Sequence, residues 1–153
     1  MKKVLFVCLG NICRSPLAEA LFKQHVKAAG LENKFMADSC GTAAYHIGSQ
    51  PDSRSMANAR ENGLIYSHQA RQIFKNDFTD FDVIVPMDAS NQEDLQRINP
   101  GGNCTLALMR DFDLGFEGKD VPDPYYSGEQ GFQDVYDILD RSTKRLLDQL
   151  QDE

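Results

Sequence analysis

The sequence predicts an α/β fold in one domain: an open sheet of four parallel strands with helices on both faces, and an anion-binding loop directly after the first strand. Three observations predict it. Short apolar runs alternate with longer stretches whose apolar residues recur at helical spacing, the pattern of a parallel sheet with crossover helices. The chain has 153 residues, the usual length of one domain and enough to bury roughly 70% of the surface that its unfolded form exposes. We therefore read residues 1–153 as a single domain. Finally, "VCLGNICRS" at 7–15 lies where the first strand gives way to the first helix, and open α/β sheets bind ligands beyond the carboxyl ends of their strands.

The elements follow in order. The first strand is expected at 3–8. "PLAEALFKQHVKAAG" then reads as a helix, with Ser15 suited to the N-cap, Pro16 to the first helical position and Gly30 to the stop. A second strand is expected at 34–39, a second helix at 51–62 before Gly63, and a third strand at 81–85. A third helix at 89–98 is stopped by Asn99-Pro100-Gly101, and a fourth strand is expected at 104–109. "GFQDVYDILDRSTKRLLDQL" closes the chain as a helix whose Phe132, Val135, Ile138, Leu139, Leu146 and Leu150 form a stripe for the core. Two irregular stretches, 40–52 and 110–130, are long for a compact domain and mark candidate functional loops.

Lys and Arg total 16 against 23 Asp and Glu, a net charge of −7. That balance disfavours nucleic acid and anionic membrane as partners, so any anion must be held by a local site. No stretch approaches the ~20 apolar residues of a membrane helix, so no membrane insertion is expected. The apolar run from Val4 to Val7 is short for a secretory signal and no small-residue cleavage pattern precedes Cys8, which points to a cytoplasmic protein. The four cysteines (8, 13, 40 and 104) then read as thiols rather than a disulfide framework. There is no C-x-x-C pair and the three histidines (25, 46 and 68) lack ligand spacing, so neither a metal nor another cofactor is expected. His25 and His46 are expected at the surface.

The loop from Cys8 to Ser15, running into a helix, frees backbone N–H groups to point inward at one anion. Arg14 adds a planar, bidentate cation suited to phosphate oxygens. The nucleotide-binding glycine-lysine-serine/threonine ending is absent, and the loop contains no lysine. Instead a cysteine lies at the base of the cradle, where the inward N–H groups, the helix N-terminus and Arg14 all favour its anionic, nucleophilic form. Taken singly, Cys8 reads as a buried small hydrophobe, Arg14 as a solvated charge and Ser15-Pro16 as an ordinary helix start. Spaced as C-x5-R-S between a strand and a helix, they point together to phosphate chemistry.

"VCLGNICRSP" resembles the phosphate-binding loop of the low-molecular-weight protein tyrosine phosphatases, and the likeness extends through "DSCGTAAYHIG", "SHQARQ", "FDVIVPMDASN" and "VPDPYYSG". The resemblance implies hydrolysis of phosphotyrosine in proteins, and of aryl phosphates, through a phosphocysteine on Cys8. It implies that Leu9, Gly10, Asn11, Ile12, Cys13, Arg14 and Ser15 form the phosphate-binding loop. Arg14 would hold the equatorial oxygens, Ser15 would bond the sulfur, and Asp123 would act as general acid and then base. The prolines on either side of Asp123 stiffen its loop. Asn11, Ser39 and His68 match residues that brace the loop, and Asp88 matches a carboxylate close to the site. Tyr45, Tyr125 and Tyr126, with Leu9 and Ile12, are expected to wall an aromatic slot. Cys13 is the candidate partner that captures an oxidised Cys8 as a disulfide. The partners implied are a phosphotyrosine protein as substrate and inorganic phosphate as product and inhibitor.

Three other functions compete. Related arsenate reductases pass a disulfide to further cysteines on a loop in the second half of the chain, but residues 80–103 contain none. Arginine-phosphate phosphatases of the family carry a small polar residue where this sequence has Ile12, and an apolar wall suits a phenyl ring better than a guanidinium. A non-enzymatic phosphate-binding module would need neither the cysteine nor the acid.

Overall fold

The computed structural model describes residues 1–153 and arranges them around a wholly parallel four-stranded sheet in the order β2-β1-β3-β4. The strands are β1 (Lys2–Cys8), β2 (Phe35–Gly41), β3 (Val83–Pro86) and β4 (Thr105–Leu106). The helices are α1 (Arg14–Ala28), α2 (Ser53–Glu61), α3 (Asp77–Asp80), α4 (Ala89–Ile98) and α5 (Glu129–Gln151), with a 3-10 turn at Met109–Phe112.

β1 is central, and Val4, Leu5, Phe6 and Val7 are all fully buried, as a parallel strand covered on both faces must be. Its alternate residues feed two cores. Val4, Phe6 and Cys8 pack with Leu17, Leu21 and Phe22 of α1 and with Leu139, Leu146 and Leu147 of α5. Leu5 and Val7 pack with Phe78 of α3, Ile84 and Leu95 of α4. Helices thus cover both faces, as the sequence predicts. The stripe on α5 is buried throughout, and each such leucine contributes about 1.5–3 kcal/mol over leaving it in water. His25 is no free surface histidine: its Nε2 lies 3.1 Å from the Asp140 carbonyl oxygen and 3.0 Å from the Asp140 carboxylate, tying α1 to α5.

The sheet order positions the site. The chain goes from β1 outward to β2, then crosses back to place β3 on the other side of β1. The loops after β1 and β3 diverge, and the crevice between them is where such sheets bind ligands.

Several boundaries differ from expectation for identifiable reasons. α1 begins at Arg14 with Cys13 as its uncapped first boundary residue, because the Ser15 hydroxyl is engaged elsewhere. α1 does end as predicted, with Gly30 at φ 69° accepting the left-handed turn. The expected fourth strand shrinks to two residues. It is an edge strand paired only with β3, and the Leu108 N–H leaves the ladder for the Asp111 carboxylate. α2 starts two residues late because Asp52 caps it by accepting the Arg54 N–H at 2.9 Å. The short helix α3 and the 3-10 turn were not foreseen, being too short to show periodicity.

The stretch after the 3-10 turn is anchored electrostatically. Asp113, only 2% exposed, accepts from Arg110 Nε at 3.0 Å and from Arg141 Nε of α5 at 2.7 Å. Burial alone would raise this carboxyl, but the bonds and charges of Arg141 and Arg110 outweigh it and hold it below its ordinary value. Asp113→Ala strips the buried Arg110 of this partner and should lower stability at pH 7 by about 3 kcal/mol in urea titrations. A carboxyl held low stabilises the fold above its unfolded-state pKa and less as pH falls through its folded one. The gap between wild type and variant should therefore narrow below about pH 4.

Candidate active site

The carboxyl end of β1 opens into a cavity of about 260 Å³. Cys8 lies at its floor, and Leu9, Ile12, Tyr45, Tyr125 and Tyr126 are among the residues that line it. Gly10, Cys13, Arg14 and Asp123 line it too, as does His46, which sequence reasoning placed at the surface. His46 comes close because its ring lies 3.0 Å from where a side chain on Gly10 would begin, a juxtaposition that only the folded loop reveals.

The loop is turned inward at Asn11, the one non-glycine residue with positive φ, 58°. Asparagine is among the few side chains that tolerate this region. The turn aims the Asn11 N–H at Cys8 Sγ, 3.3 Å away. The side-chain amide then uses its full bonding capacity. Nδ2 donates to Ser15 Oγ at 2.8 Å and Ser39 Oγ at 3.1 Å, while Oδ1 accepts from His68 Nε2 at 2.9 Å and the Arg71 N–H at 3.0 Å. The backbone N–H of Arg71 fixes which end of the amide is oxygen.

That orientation makes the Ser15 oxygen an acceptor from Asn11 and leaves its hydrogen to one of two acceptors, Cys8 Sγ at 3.0 Å or the Cys40 carbonyl at 3.3 Å, of which the sulfur is the nearer. Beneath, the Ser39 hydroxyl donates to Glu19 at 2.7 Å, and His68 Nδ1 stands 3.4 Å from the same carboxylate. Glu19 was missed by sequence reasoning. Its signal was a carboxylate on the buried stripe of α1, four residues after Ser15. Gly41 allows β2 to pass under the loop, since a side chain there would begin 2.7 Å from the Leu9 carbonyl oxygen.

Arg14 is buried and spends only Nη1 on protein acceptors: Asp88 at 2.6 Å and the Val121 carbonyl at 3.0 Å. Nη2 is 3.8 Å from Asp123, leaving the guanidinium edge for a ligand. Burial opposes its charge, but Cys8 first and then Asp88 and Asp123 outweigh burial and raise its pKa. Asp88 also caps α4 by accepting the Asn91 N–H at 2.8 Å. Because α1 has no side-chain cap, its first N–H groups remain available to an anion.

Asp123 is 49% exposed on the side chain and accepts the Tyr125 N–H at 3.1 Å, the turn expected of an Asp-Pro sequence. Its segment is pinned upstream, where the Val121 N–H donates to the Met87 carbonyl at 2.9 Å. The Cys13 thiol is pushed up to about 12 by burial first and then by the negative charges of Asp52, Cys8 and Asp123. It is therefore a neutral thiol at physiological pH.

With this geometry in hand, the profile of the low molecular weight phosphotyrosine protein phosphatases matches residues 3–153. The chain belongs to this family. A low molecular weight phosphotyrosine protein phosphatase of Schizosaccharomyces pombe is 46% identical over 88% of this chain and 87% of its own. The crystal structure of an Entamoeba histolytica protein tyrosine phosphatase with Hepes in the active site superposes with a TM-score of 0.95 at 40% identity, covering 99% and 98% of the two chains. A Drosophila arginine phosphatase gives 0.91 at 35% identity, over 99% and 98%. This low molecular weight phosphatase is thus a hydrolase by descent, and its family includes more than one named substrate class.

The amide of Asn11 offers a sharp test. Asn11→Asp keeps the acceptor for His68 and Arg71 but replaces the Nδ2 donor with an acceptor, drawing the Ser15 proton away from the sulfur. Turnover should fall by about tenfold or more, while Asn11→Ala should also cost about 2–4 kcal/mol in stability by orphaning buried partners. Wild-type turnover in Asn11→Asp would mean that the Ser15 proton does not serve Cys8.

Proposed function

We propose that the protein hydrolyses phosphotyrosine in proteins, and aryl phosphates, through a phosphocysteine on Cys8. The observation that carries the reading is Cys8 at the cavity floor, 3.0 Å from the Ser15 hydroxyl, with Arg14 and Asp123 beside it. The Cys8 thiolate attacks phosphorus in line, the P–O bond to the phenol breaks, and Asp123 delivers its proton to the leaving oxygen. Arg14 and the loop N–H groups hold the equatorial oxygens as charge develops. Asp123, now a carboxylate, takes a proton from water as that water displaces the sulfur. Ser15 bonds the departing thiolate, and inorganic phosphate leaves as product and competitive inhibitor.

The walls favour a phenyl ring. Ile12, Leu9 and the three tyrosines offer flat or apolar surface, and Ile12 supplies no acceptor for a guanidinium. Assaying p-nitrophenyl phosphate, a phosphotyrosine peptide, phosphoarginine and arsenate in parallel separates the competing activities. Release of phosphate from phosphoarginine faster than from phosphotyrosine would overturn the substrate assignment. We place the protein in the cytoplasm, a reading supported by its four unpaired thiols.

Cys8→Ser should abolish turnover yet retain measurable vanadate binding, because the cradle survives. Asp123→Ala should lower the rate on phenyl phosphate by about 10²–10⁴-fold and by much less on p-nitrophenyl phosphate, whose leaving group needs little protonation. An equal loss on both substrates would show that Asp123 is not the acid.

Cys13 fits a protective role. Hydrogen peroxide converts the Cys8 thiolate to a sulfenic acid, and the Cys13 thiol displaces its hydroxyl as water, forming a disulfide. Oxidation also removes the Cys8 negative charge that helps keep Cys13 protonated. Relative to its own starting activity, Cys13→Ser should recover poorly on thiol treatment after peroxide, while the wild type recovers and bound phosphate protects it. Equal recovery, or no Cys8–Cys13 linkage by mass spectrometry, would make Cys13 structural.

A further inference from the structure

Residues 122–127, which carry Asp123, hydrogen-bond only among themselves: the Tyr125 N–H to Asp123, and the Ser127 N–H to the Pro124 carbonyl at 2.8 Å. The backbone anchors lie upstream at Val121 and downstream in α5. Something else must fix the segment across the cavity mouth.

Arg54 occupies that position. Its guanidinium carbon lies 5.2 Å from the centre of the Tyr125 ring and 4.9 Å from that of Phe132 on α5, within the range at which a cation is attracted to an aromatic face. Asp52 holds it with a two-pronged pairing, Nε to Oδ1 at 3.1 Å and Nη2 to Oδ2 at 2.8 Å. Asp52 is joined in turn to the phosphate loop, its backbone N–H donating to the Ile12 carbonyl at 2.8 Å. An unbroken chain of contacts therefore runs from Ile12 through Asp52, Arg54 and Tyr125 to Asp123. A helix cap would require only Asp52 and the Arg54 N–H; the rings of two further elements on the guanidinium are additional.

We propose that Arg54 is a positioning residue for the general acid, clamping Tyr125 so that Asp123 stays over the phosphate loop. The proposal rests on Asp123 being the acid. A planar guanidinium is required, because an ammonium can pair with Asp52 but cannot stack flat between two rings. Arg54 does not line the cavity that holds Cys8, so its loss leaves the phosphate cradle intact.

The test is kcat/KM, which reports phosphoryl transfer to Cys8, across aryl phosphates from p-nitrophenyl to phenyl. It is measured in wild type, Arg54→Ala, Arg54→Lys, Asp123→Ala and the Arg54→Ala/Asp123→Ala double variant, with vanadate affinity and thermal unfolding as controls. Arg54→Ala should lose about tenfold on phenyl phosphate, the scale set by a sub-ångström to ångström displacement of a catalytic group. It should lose far less on p-nitrophenyl phosphate and keep its vanadate affinity. Arg54→Lys should fall between and keeps the test open if the alanine variant folds poorly. The double variant should match Asp123→Ala alone, since no acid remains to be positioned. An Arg54→Ala loss that is uniform along the series, that persists in full without Asp123, or that accompanies weakened vanadate binding overturns the clamp. If Asp123→Ala is itself indifferent to the leaving group, the acid assignment fails first, and the clamp falls with it.

Discussion

A single side-chain amide governs the site. To surround one anion, the loop between β1 and α1 must turn its N–H groups inward, and that turn needs positive φ at Asn11. Such a conformation persists only where the surroundings over-determine it. Here four bonds do so, from Ser15, Ser39, His68 and the backbone of Arg71. They come from α1, β2 and the segment after α2, so three parts of the fold must be in place before the loop is. An amide has two donors and two acceptor lone pairs on one planar group, so aspartate would lack the donors; glutamine has them but carries them one methylene further from the backbone, out of register with these four partners.

The second constraint is charge. On the proposed reading, a protein with net charge −7 must hold a phosphate dianion beside the carboxylates of Asp88 and Asp123. One buried cation does most of this, and its own position depends on the carboxylates it faces. Asp88 fixes the Nη1 corner of Arg14 while capping α4, so the helix start and the cation are set by one carboxylate. The rest comes from backbone N–H groups, which bring positive potential without side-chain entropy. The uncapped start of α1 fits that arrangement, because a capping side chain there would occupy the donors that an anion needs.

Much of this was legible in the sequence. β1, α1 and α5 announce themselves by strong periodicity, and Cys8, Arg14 and Ser15 by their spacing between a strand and a helix. For Ser15, local pattern offered only the helix cap, which the structure does not show, whereas the family resemblance pointed to the sulfur, beside which the hydroxyl lies. Glu19 and His46 were missed for different reasons. A charged residue inside a helix reads as solvated, and a loop histidine gains meaning only once the folded loop brings its ring against Gly10. The fourth strand was overextended because an apolar run carries no information about how many partners an edge will find. Arg54 lay outside the motif altogether, since stacking on rings some seventy residues away leaves no local pattern.

The two halves of the site are built to different stiffness, and the difference follows from what each must meet. On the proposed reading the phosphate is the same in every substrate, and the side chains that brace its cradle are buried, with Cys8 3%, Asn11 1% and Arg14 3% exposed. A phosphotyrosine carried by a protein would have to bring its ring past the rim without unfolding. The rim is accordingly open: Tyr126 is 96% exposed, and the segment carrying Asp123 bonds mainly to itself. Openness, however, leaves Asp123, the proposed acid, with no rigid element of its own. A loosely tethered carboxylate loses rate through misplacement, so a lateral support that leaves the mouth clear is what the chemistry requires, and a half-exposed arginine stacked on the outer side of the wall meets that requirement.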